Sequence, residues 1–324
     1  MPTPYNIAFW NVENFFDHLN SVDRTPELHA RLANDLANWD VATRDRKRDQ
    51  LVAIIQQMGN GAGPDLLGVC EIENQTVMDL LAAGMNAGIA GRNYQTAHAD
   101  TADGRGIDVA FVYDANLFTA GAEFNHFVMR RTFTRDIFQV NFTTNQGHTL
   151  VAMGNHWPSR SGGRLESAAY RAVAGETLAY WHERVREVLG DDTPIIVMGD
   201  FNDEPFDESV RSYALSWRSR NKVLRATNPK FYNLMWPEMG NRVGSYYFGN
   251  HPNMLDQFFV NENMLRASSI FRADEQSVRV SQFAAMNSGG QYPTPIRFSG
   301  HGSPANPNGF SDHYPIEMVV IEAD

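Results

Sequence analysis

The sequence predicts an α+β fold in which one β-sheet packs on another with helices outside. Short apolar runs of strand length, each bounded by turn residues, recur along all 324 residues. Helical periodicity is confined to three segments. Strands therefore outnumber helices, and their mixed spacing is that of sheet on sheet rather than a helical bundle.

In order, the strand-length runs cover residues 7–10, 66–70, 107–113, 138–142, 149–155, 195–198, 255–260 and 314–321. The segment 46–58 carries Leu51, Ile54, Ile55 and Met58 at helical spacing, with Gly59 as its stop signal. Residues 75–87 make a second helix, and 164–189 a long third one ending at Gly190. No internal repeat and no linker with a shift in composition interrupts the chain, so 1–324 reads as one domain. Three segments read as loop insertions, near 17–45, 227–253 and 287–310. The last is rich in glycine and proline and leads into Ser311-Asp312-His313, which favours a loop at the mouth of a site.

Hydrophobic residues make up 43% of the chain and charged residues 20%, the balance of a soluble globular protein with a substantial core. A single cysteine, Cys70, excludes an intramolecular disulfide and a multi-cysteine zinc site, and its apolar surroundings read as a buried strand. The net charge of −11 argues against a passive polyanion binder. It is compatible with an enzyme acting on phosphates, because a carboxylate-lined metal site is itself negative. The basic run Arg44-Asp45-Arg46-Lys47-Arg48 reads as a solvated helix face. No stretch approaches the roughly 18 apolar residues of a membrane span. The N-terminus lacks the basic region and cleavage site of a signal peptide. The compartment stays open: cytoplasmic if Met1 is native, secreted or periplasmic if a leader has been removed.

The chemistry lies where polar residues meet strand ends. Asn11 and Glu71 each follow a strand, as do Asn155 with His156 and Asp200 with Asn202, while Asp312 and His313 precede the last one. Carboxylates and amides at the ends of buried strands are costly unless paired or metal-bound. Oxygen ligands without cysteine suit a hard cation, Mg2+ or Mn2+, with Ca2+ a further candidate. Two histidines beside carboxylates suit proton transfer and stabilisation of a phosphoryl transition state.

Seven segments carry a resemblance. They are Phe9-Trp10-Asn11-Val12-Glu13-Asn14-Phe15-Phe16-Asp17, Val69-Cys70-Glu71-Ile72-Glu73-Asn74, Arg105-Gly106-Ile107-Asp108-Val109-Ala110, Gly154-Asn155-His156-Trp157-Pro158-Ser159-Arg160, Gly199-Asp200-Phe201-Asn202-Asp203-Glu204-Pro205, Leu255-Asp256-Gln257 and Ser311-Asp312-His313-Tyr314-Pro315. In order and spacing the chain resembles the endonuclease/exonuclease/phosphatase superfamily, of deoxyribonuclease-I-like fold, and its bacterial nuclease-like branch. The resemblance implies a four-layer α/β/β/α sandwich of two mixed sheets with the site at one end. It implies a metal on Glu71, with Asn11 beside it and Asp312 as an additional carboxylate. It implies that Asp200 orients or deprotonates the attacking water and that Asn202 contacts the phosphate. His313 would act on the scissile phosphate and Asp256 would fix and charge it. His156 matches the deoxyribonuclease-I and phosphatase branches and departs from the abasic-site endonucleases.

Arg160, Asn155 and Arg105 are the candidate substrate contacts, with Ser159 and Arg164 near the first. Glu13 and Asn14 read as supports of Asn11 and Glu71, and Trp157, Tyr246, Tyr247 and Phe248 as candidate stacking surfaces. The resulting expectation is a metal-dependent phosphodiester hydrolase, foremost a nuclease of low sequence specificity acting on DNA, with RNA as a further substrate. The alternative is a phosphatase or phosphodiesterase of small-molecule or lipid head-group esters. A non-catalytic binding protein on the same fold is the third reading. The expected partner is thus a nucleic acid or a small phosphate ester, with no obligate protein partner, and the general acid is left open.

Overall fold

A computed structural model describes residues 1–324. In chain order the strands are β1 (Thr3–Phe15), β2 (Leu66–Ile72), β3 (Tyr94–His98), β4 (Asp108–Asp114), β5 (Phe118–His126), β6 (Ile137–Thr144), β7 (Thr149–His156), β8 (Ile195–Asp200), β9 (Ser216–Trp217), β10 (Phe231–Asn233), β11 (Tyr246–Phe248), β12 (His251–Asn253), β13 (Asp256–Asn261), β14 (Phe271–Val280) and β15 (Ile316–Glu322). The helices are α1 (Pro26–Leu32), α2 (Val41–Ile55), α3 (Gln75–Gly88), α4 (Ala168–Leu189) and α5 (Arg220–Leu224).

One sheet has the order β14-β15-β1-β2-β4-β3 and the other β5-β6-β7-β8-β13-β10-β9, with β11 and β12 a separate hairpin. Both sheets are mixed, because β1–β2, β7–β8 and β9–β10 are parallel and the remaining pairs antiparallel. β1, β2 and β4 face β7 and β8 across the principal core. Helices α2 and α3 add Leu51, Ile54, Ile55, Val77, Leu81 and Met85 to that core from the outer side of the first sheet. A second cluster joins Ala174, Leu178 and Val185 of α4 to Val151, Ile195, Val197 and Phe259 of the second sheet. The architecture is the expected four-layer α/β/β/α sandwich of α+β class. No helix is long and apolar enough to cross a membrane.

Local chemistry explains the element limits. Helix α2 starts at Val41, earlier than apolar periodicity suggests, because the Asp40 side chain accepts from Thr43 N at 2.8 Å and caps it. α4 begins only at Ala168, since residues 164–167 form a turn in which Ser167 Oγ donates to Gly163 O. Two glycines let the sheets approach. A Cβ on Gly68 would lie 2.7 Å from Met198 Sδ, and one on Gly154 2.6 Å from Val109 Cγ1.

The three segments expected as insertions are only partly loop. Residues 17–45 hold α1 and the start of α2, and 227–253 hold β10 and the β11–β12 hairpin. Residues 287–310 contain no helix or strand, but two isolated bridges, Asn287 with Pro295 and Ser299 with Ala305, hold them in shape. A small cluster of Phe16, Leu32, Leu36, Trp39, Ile107 and Phe298 packs beneath these loops.

Candidate active site

Register puts the polar residues together. His156 ends β7 opposite Asp200 at the end of β8, and Asp256 at the start of β13 also lies opposite Asp200. In-register neighbours point to the same face, so one row carries His, Asp and Asp. From the facing sheet, Asn11 donates from Nδ2 to Asp200 Oδ2 at 3.1 Å.

Two bulges aim the remaining groups. The pairing of β1 with β2 shifts between Asn11 and Phe15, and that of β2 with β4 between Cys70 and Ile72. Within them Glu13, Asn14 and Glu71 adopt φ of 52°, 53° and 65°, and Asn202 adopts 50° beyond β8. Left-handed backbone costs each of these residues about 1 kcal/mol, so packing and hydrogen bonds must hold them there. Glu71 accepts from Asn14 N at 3.0 Å through Oε2, while its Oε1 stands 3.7 Å from His156 Nε2. Asn202 N donates to Asp200 Oδ1 at 2.9 Å. Asn202 Nδ2 donates to Trp157 O at 3.0 Å and lies 3.3 Å from Asp200 Oδ2.

The strap before β15 completes the cluster. Ser311 Oγ donates to Asn11 O at 2.6 Å and accepts from His313 N at 3.1 Å, and Trp10 Nε1 donates to His313 O at 2.9 Å. His313 Nδ1 pairs with Asp256 Oδ2 at 2.7 Å. Asp256 is held in turn by its own N–H, which donates to Ser245 Oγ at 2.9 Å. His313 Nε2 then faces Asp200 Oδ2 and Asp312 Oδ1, each at 4.0 Å. His156 Nε2 is 3.8 Å from the same Asp200 oxygen. These separations exceed a direct hydrogen bond. Asp200 Oδ2 is therefore viewed from two sides by imidazole nitrogens.

The electrostatics separate the two rings. Burial opposes a charge on His313, but Asp256, by charge and hydrogen bond, outweighs it together with Asp200 and Asp312 and holds its pKa well above the usual value. Burial pushes His156 well below, helped by the fields of Arg135, Arg105 and His313. Burial and the neighbouring Asp256 charge raise Asp200, against the pull of His313 and the hydrogen bonds of Asn202 and Asn11. Burial raises Asp312 as well, opposed by His313 and Arg297 and reinforced by Glu13 and Glu71. Glu71 goes down: burial would raise it, yet Arg105, His313 and Arg135 prevail.

Crowded carboxylates of this kind fit a hard divalent cation. Asp200 and Asp312 resist ionisation in their neighbours' company, and Asp256 Oδ1 is buried without a partner. A bound cation would relieve that repulsion. Glu71 and Asp312 would offer such a cation carboxylate oxygens and Asn11 an amide oxygen that also accepts from Glu13 N at 3.0 Å, the donor class preferred by Mg2+ or Mn2+. Asp200, Asp256 and His313 also offer ligand atoms within 4.8 Å of one another. The short His313–Asp256 bond makes a cationic imidazole the better description of that trio.

Not every expected residue joins the cluster. Asn155 is fully buried and spends its amide on Met153 O and Trp157 Nε1, at 3.1 and 2.9 Å. That environment corrects its expected role as a substrate contact. Arg160 braces the loop after β8, donating from Nε to Asn202 O at 2.6 Å and reaching Asp203, Asp207 and Asn253. Arg164 pairs with Asp207. Arg105 does stand at the mouth, half-exposed, with NH2 2.6 Å from Asn14 Oδ1 and 3.9 Å from Glu71 Oε2. Trp157 is buried and offers no stacking face, while Phe248 is exposed.

Several neighbours went unread in the sequence. Arg135 donates to Trp157 O at 2.9 Å and to Asp103 at 3.1 Å. Arg297 bridges Glu13 and Asp312 at 3.2 and 3.3 Å. Lys47, expected on a solvated helix face, is wholly buried: it donates to Phe310 O and lies 4.7 Å over the Phe298 ring. Burial pulls its pKa down to about 8 against the opposing fields of Glu13, Asp312 and Glu71. Its helical spacing to Leu51, Ile54 and Met58 is the signal that places it on the inner face. Arg135 and Arg297 carried no such signal.

Comparison with known proteins agrees with this geometry. The family model described as Endonuclease/Exonuclease/phosphatase family matches residues 6–322. The fold is similar to that of an endonuclease/exonuclease/phosphatase family protein from Bacteroides thetaiotaomicron (TM-score 0.57, 14% identity, 100% of both chains covered). It is also similar to a mannosyl-6-phosphatase from the same organism (TM-score 0.55, 15% identity, 98% of this chain and 99% of that one). A humanized TDP2 of D. rerio is a third such structure (TM-score 0.56, 13% identity, 98% of both chains). No curated protein matches the sequence. At these identities the structures speak for the fold alone, but the family match covers nearly the whole length, and the chain belongs to the endonuclease/exonuclease/phosphatase family, a family of phosphoester hydrolases.

Proposed function

We propose that the protein is a divalent-metal-dependent phosphodiester hydrolase, a nuclease of low sequence specificity that acts on DNA and takes RNA as a further substrate. The observation that carries this reading is Asp200 Oδ2, buried between two imidazole nitrogens at 3.8 and 4.0 Å whose surroundings push their pKa values in opposite directions. A base flanked by one cationic and one neutral ring suits in-line attack of water on a phosphate.

In this reading Asp200 orients the water and takes its proton, which its raised pKa makes it able to hold. Asn11 and Asn202 fix the Asp200 carboxylate from opposite sheets. The His313 cation donates from Nε2 to a non-bridging phosphate oxygen and stabilises charge in the transition state. Asp256 holds that ring in orientation through Nδ1. His156 directs its Nε2–H toward Glu71 and Asp200 and keeps a neutral donor beside the reacting atoms. Glu71, Asn11 and Asp312 would hold the cation, which when bound polarises the phosphate and lowers the cost of the leaving oxyanion.

Hydrolysis of plasmid DNA, RNA, bis-p-nitrophenyl phosphate and p-nitrophenyl phosphate with Mg2+ or Mn2+, and with chelator, tests the reading. The expected result is polynucleotide and diester cleavage, lost with chelator and in Asp200→Ala. Hydrolysis confined to the monoester would replace the nuclease with a phosphatase. Inertness toward all four would remove the enzyme.

A further inference from the structure

The connection between β5 and β6 rises from the catalytic end of the second sheet. His126 at the end of β5 pairs with Ile137, and Phe138 with Gly154, two residues short of His156. This loop exposes Phe127, Met129 and Phe133 at 50%, 75% and 62%. Arg130 and Arg131 lie between these apolar side chains, and residues 127–135 contain no carboxylate in a chain of net charge −11. Both arginines are tied to Tyr170: Arg130 stacks on its ring at 4.1 Å and Arg131 NH2 donates to its OH at 3.1 Å. Phe127 and Phe133 meet edge to face at 6.5 Å. Arg135, two residues beyond Phe133, anchors the loop to Trp157 O beside His156.

Across the site, the β11–β12 hairpin precedes β13 and lays Tyr246 4.8 Å from the His313 ring, while Phe248 at its tip is 74% exposed. The strand order β5-β6-β7-β8-β13 carries His156, Asp200 and Asp256 away from the loop, and the hairpin meets the cluster through the Tyr246–His313 bridge, so the two form lips on either side of it. A small ester would occupy only the reacting centre, whereas an oligonucleotide would extend past it toward both lips.

We propose that the 127–134 loop is a docking lip for single-stranded polynucleotide, with bases stacking on Phe127 and Phe133 and phosphates held by Arg130 and Arg131. The inference deepens the hydrolase reading and names its substrate as an unpaired strand. Interleaved rings and guanidinium groups match alternating bases and phosphates. A lipid surface calls instead for a continuous apolar face with basic side chains at its border.

The test is the fluorescence anisotropy of a labelled oligothymidylate of about 12 nucleotides, with Mg2+, in an Asp200→Asn background that cannot turn it over. Phe133→Ala and Arg131→Ala, both solvent-facing, should each raise Kd about tenfold at unchanged Tm. In the otherwise intact enzyme the same substitutions should reduce oligonucleotide cleavage at least about tenfold more than hydrolysis of bis-p-nitrophenyl phosphate. Unchanged Kd in both variants overturns the proposal. Weak oligonucleotide binding alongside Phe133-dependent binding to phosphatidylserine vesicles overturns it in favour of a membrane surface. Failure to hydrolyse any diester would sink the hydrolase reading, while the anisotropy would still decide whether the lip binds a strand.

Discussion

The two halves of the site hold chemically identical rings whose pKa values are pushed in opposite directions. His313, on the strap before β15, has Asp256 at 2.7 Å on one nitrogen and carboxylates at 4.0 Å on the other. His156, at the end of β7, has a buried Nδ1 with no partner and stands in the fields of Arg135 and Arg105. Burial alone would discharge both. Asp256, by charge and hydrogen bond and together with the fields of Asp200 and Asp312, reverses the outcome for His313, so the strand that delivers Asp256 supplies the largest part of the difference between the halves. In the proposed mechanism the difference suits His313 to charge stabilisation and His156 to the part of a neutral donor.

The strongest way to break this comparison is to remove each ring in turn. His313→Ala is expected to lower kcat at least about 10²-fold, the scale of a lost preorganised stabiliser. His156→Gln keeps a neutral donor at the position and is expected to cost only about tenfold. Steady-state kinetics on a diester would show this order. Equal losses, or the reverse, would mean that the cation is not where the protein gains its rate.

A sharper version leaves both rings in place. Asp256→Asn removes the largest influence raising the His313 pKa. The active form is protonated, so activity is lost as pH rises through that pKa, and a lower pKa moves the basic limb toward acid. The expected result is a basic limb displaced to lower pH and about a tenfold loss at the original optimum. An unmoved limb in the pH–rate profile would assign it to some other group.

How much of this was legible in the sequence follows from burial. The eight strand runs read from apolar composition correspond to β1, β2, β4, β6, β7, β8, β13 and β15, all interior to their sheets. The strands at all four edges, β14, β3, β5 and β9, were missed. An edge strand keeps one flank in water and reads as polar sequence: β14 runs Phe-Arg-Ala-Asp-Glu-Gln-Ser-Val-Arg-Val, and β5 exposes most of its residues. The interior β10 was missed because it is only three residues long. Site residues at the ends of interior strands inherited the same legibility, which is why Asn11, Glu71, His156 and Asp200 could be named. Arg135 and Arg297 could not, because they reach the cluster from loops, where spacing carries no geometric information. Asn155 failed for the converse reason: strand alternation turns the residue before His156 to the other face.

A third buried histidine isolates what burial does without any carboxylate. His182 of α4 lies outside the site, stacks on Phe231 at 4.0 Å and leaves Nε2 without a partner. Burial, with a smaller contribution from Arg186, lowers its pKa to about 3. The unfolded chain would titrate near the ordinary value of about 6.5. Between those limits the unfolded state binds the extra proton, so stability is full above about pH 6.5 and falls as pH decreases toward about 3. The slope approaches about 1.4 kcal/mol per pH unit within that window. His182→Leu should therefore leave activity near neutral pH unaltered and flatten the acid limb of stability by roughly 2 kcal/mol between about pH 6.5 and 4.5. Denaturant midpoints measured across that range give the difference directly. If the variant kept the wild-type slope, the acid limb would have to come from the other buried rings with lowered pKa, His156 and His126. A slope flattened by His156→Gln and not by His126→Gln would then make the site govern acid stability as well as catalysis, and the contrast between its two halves would extend from rate to folding.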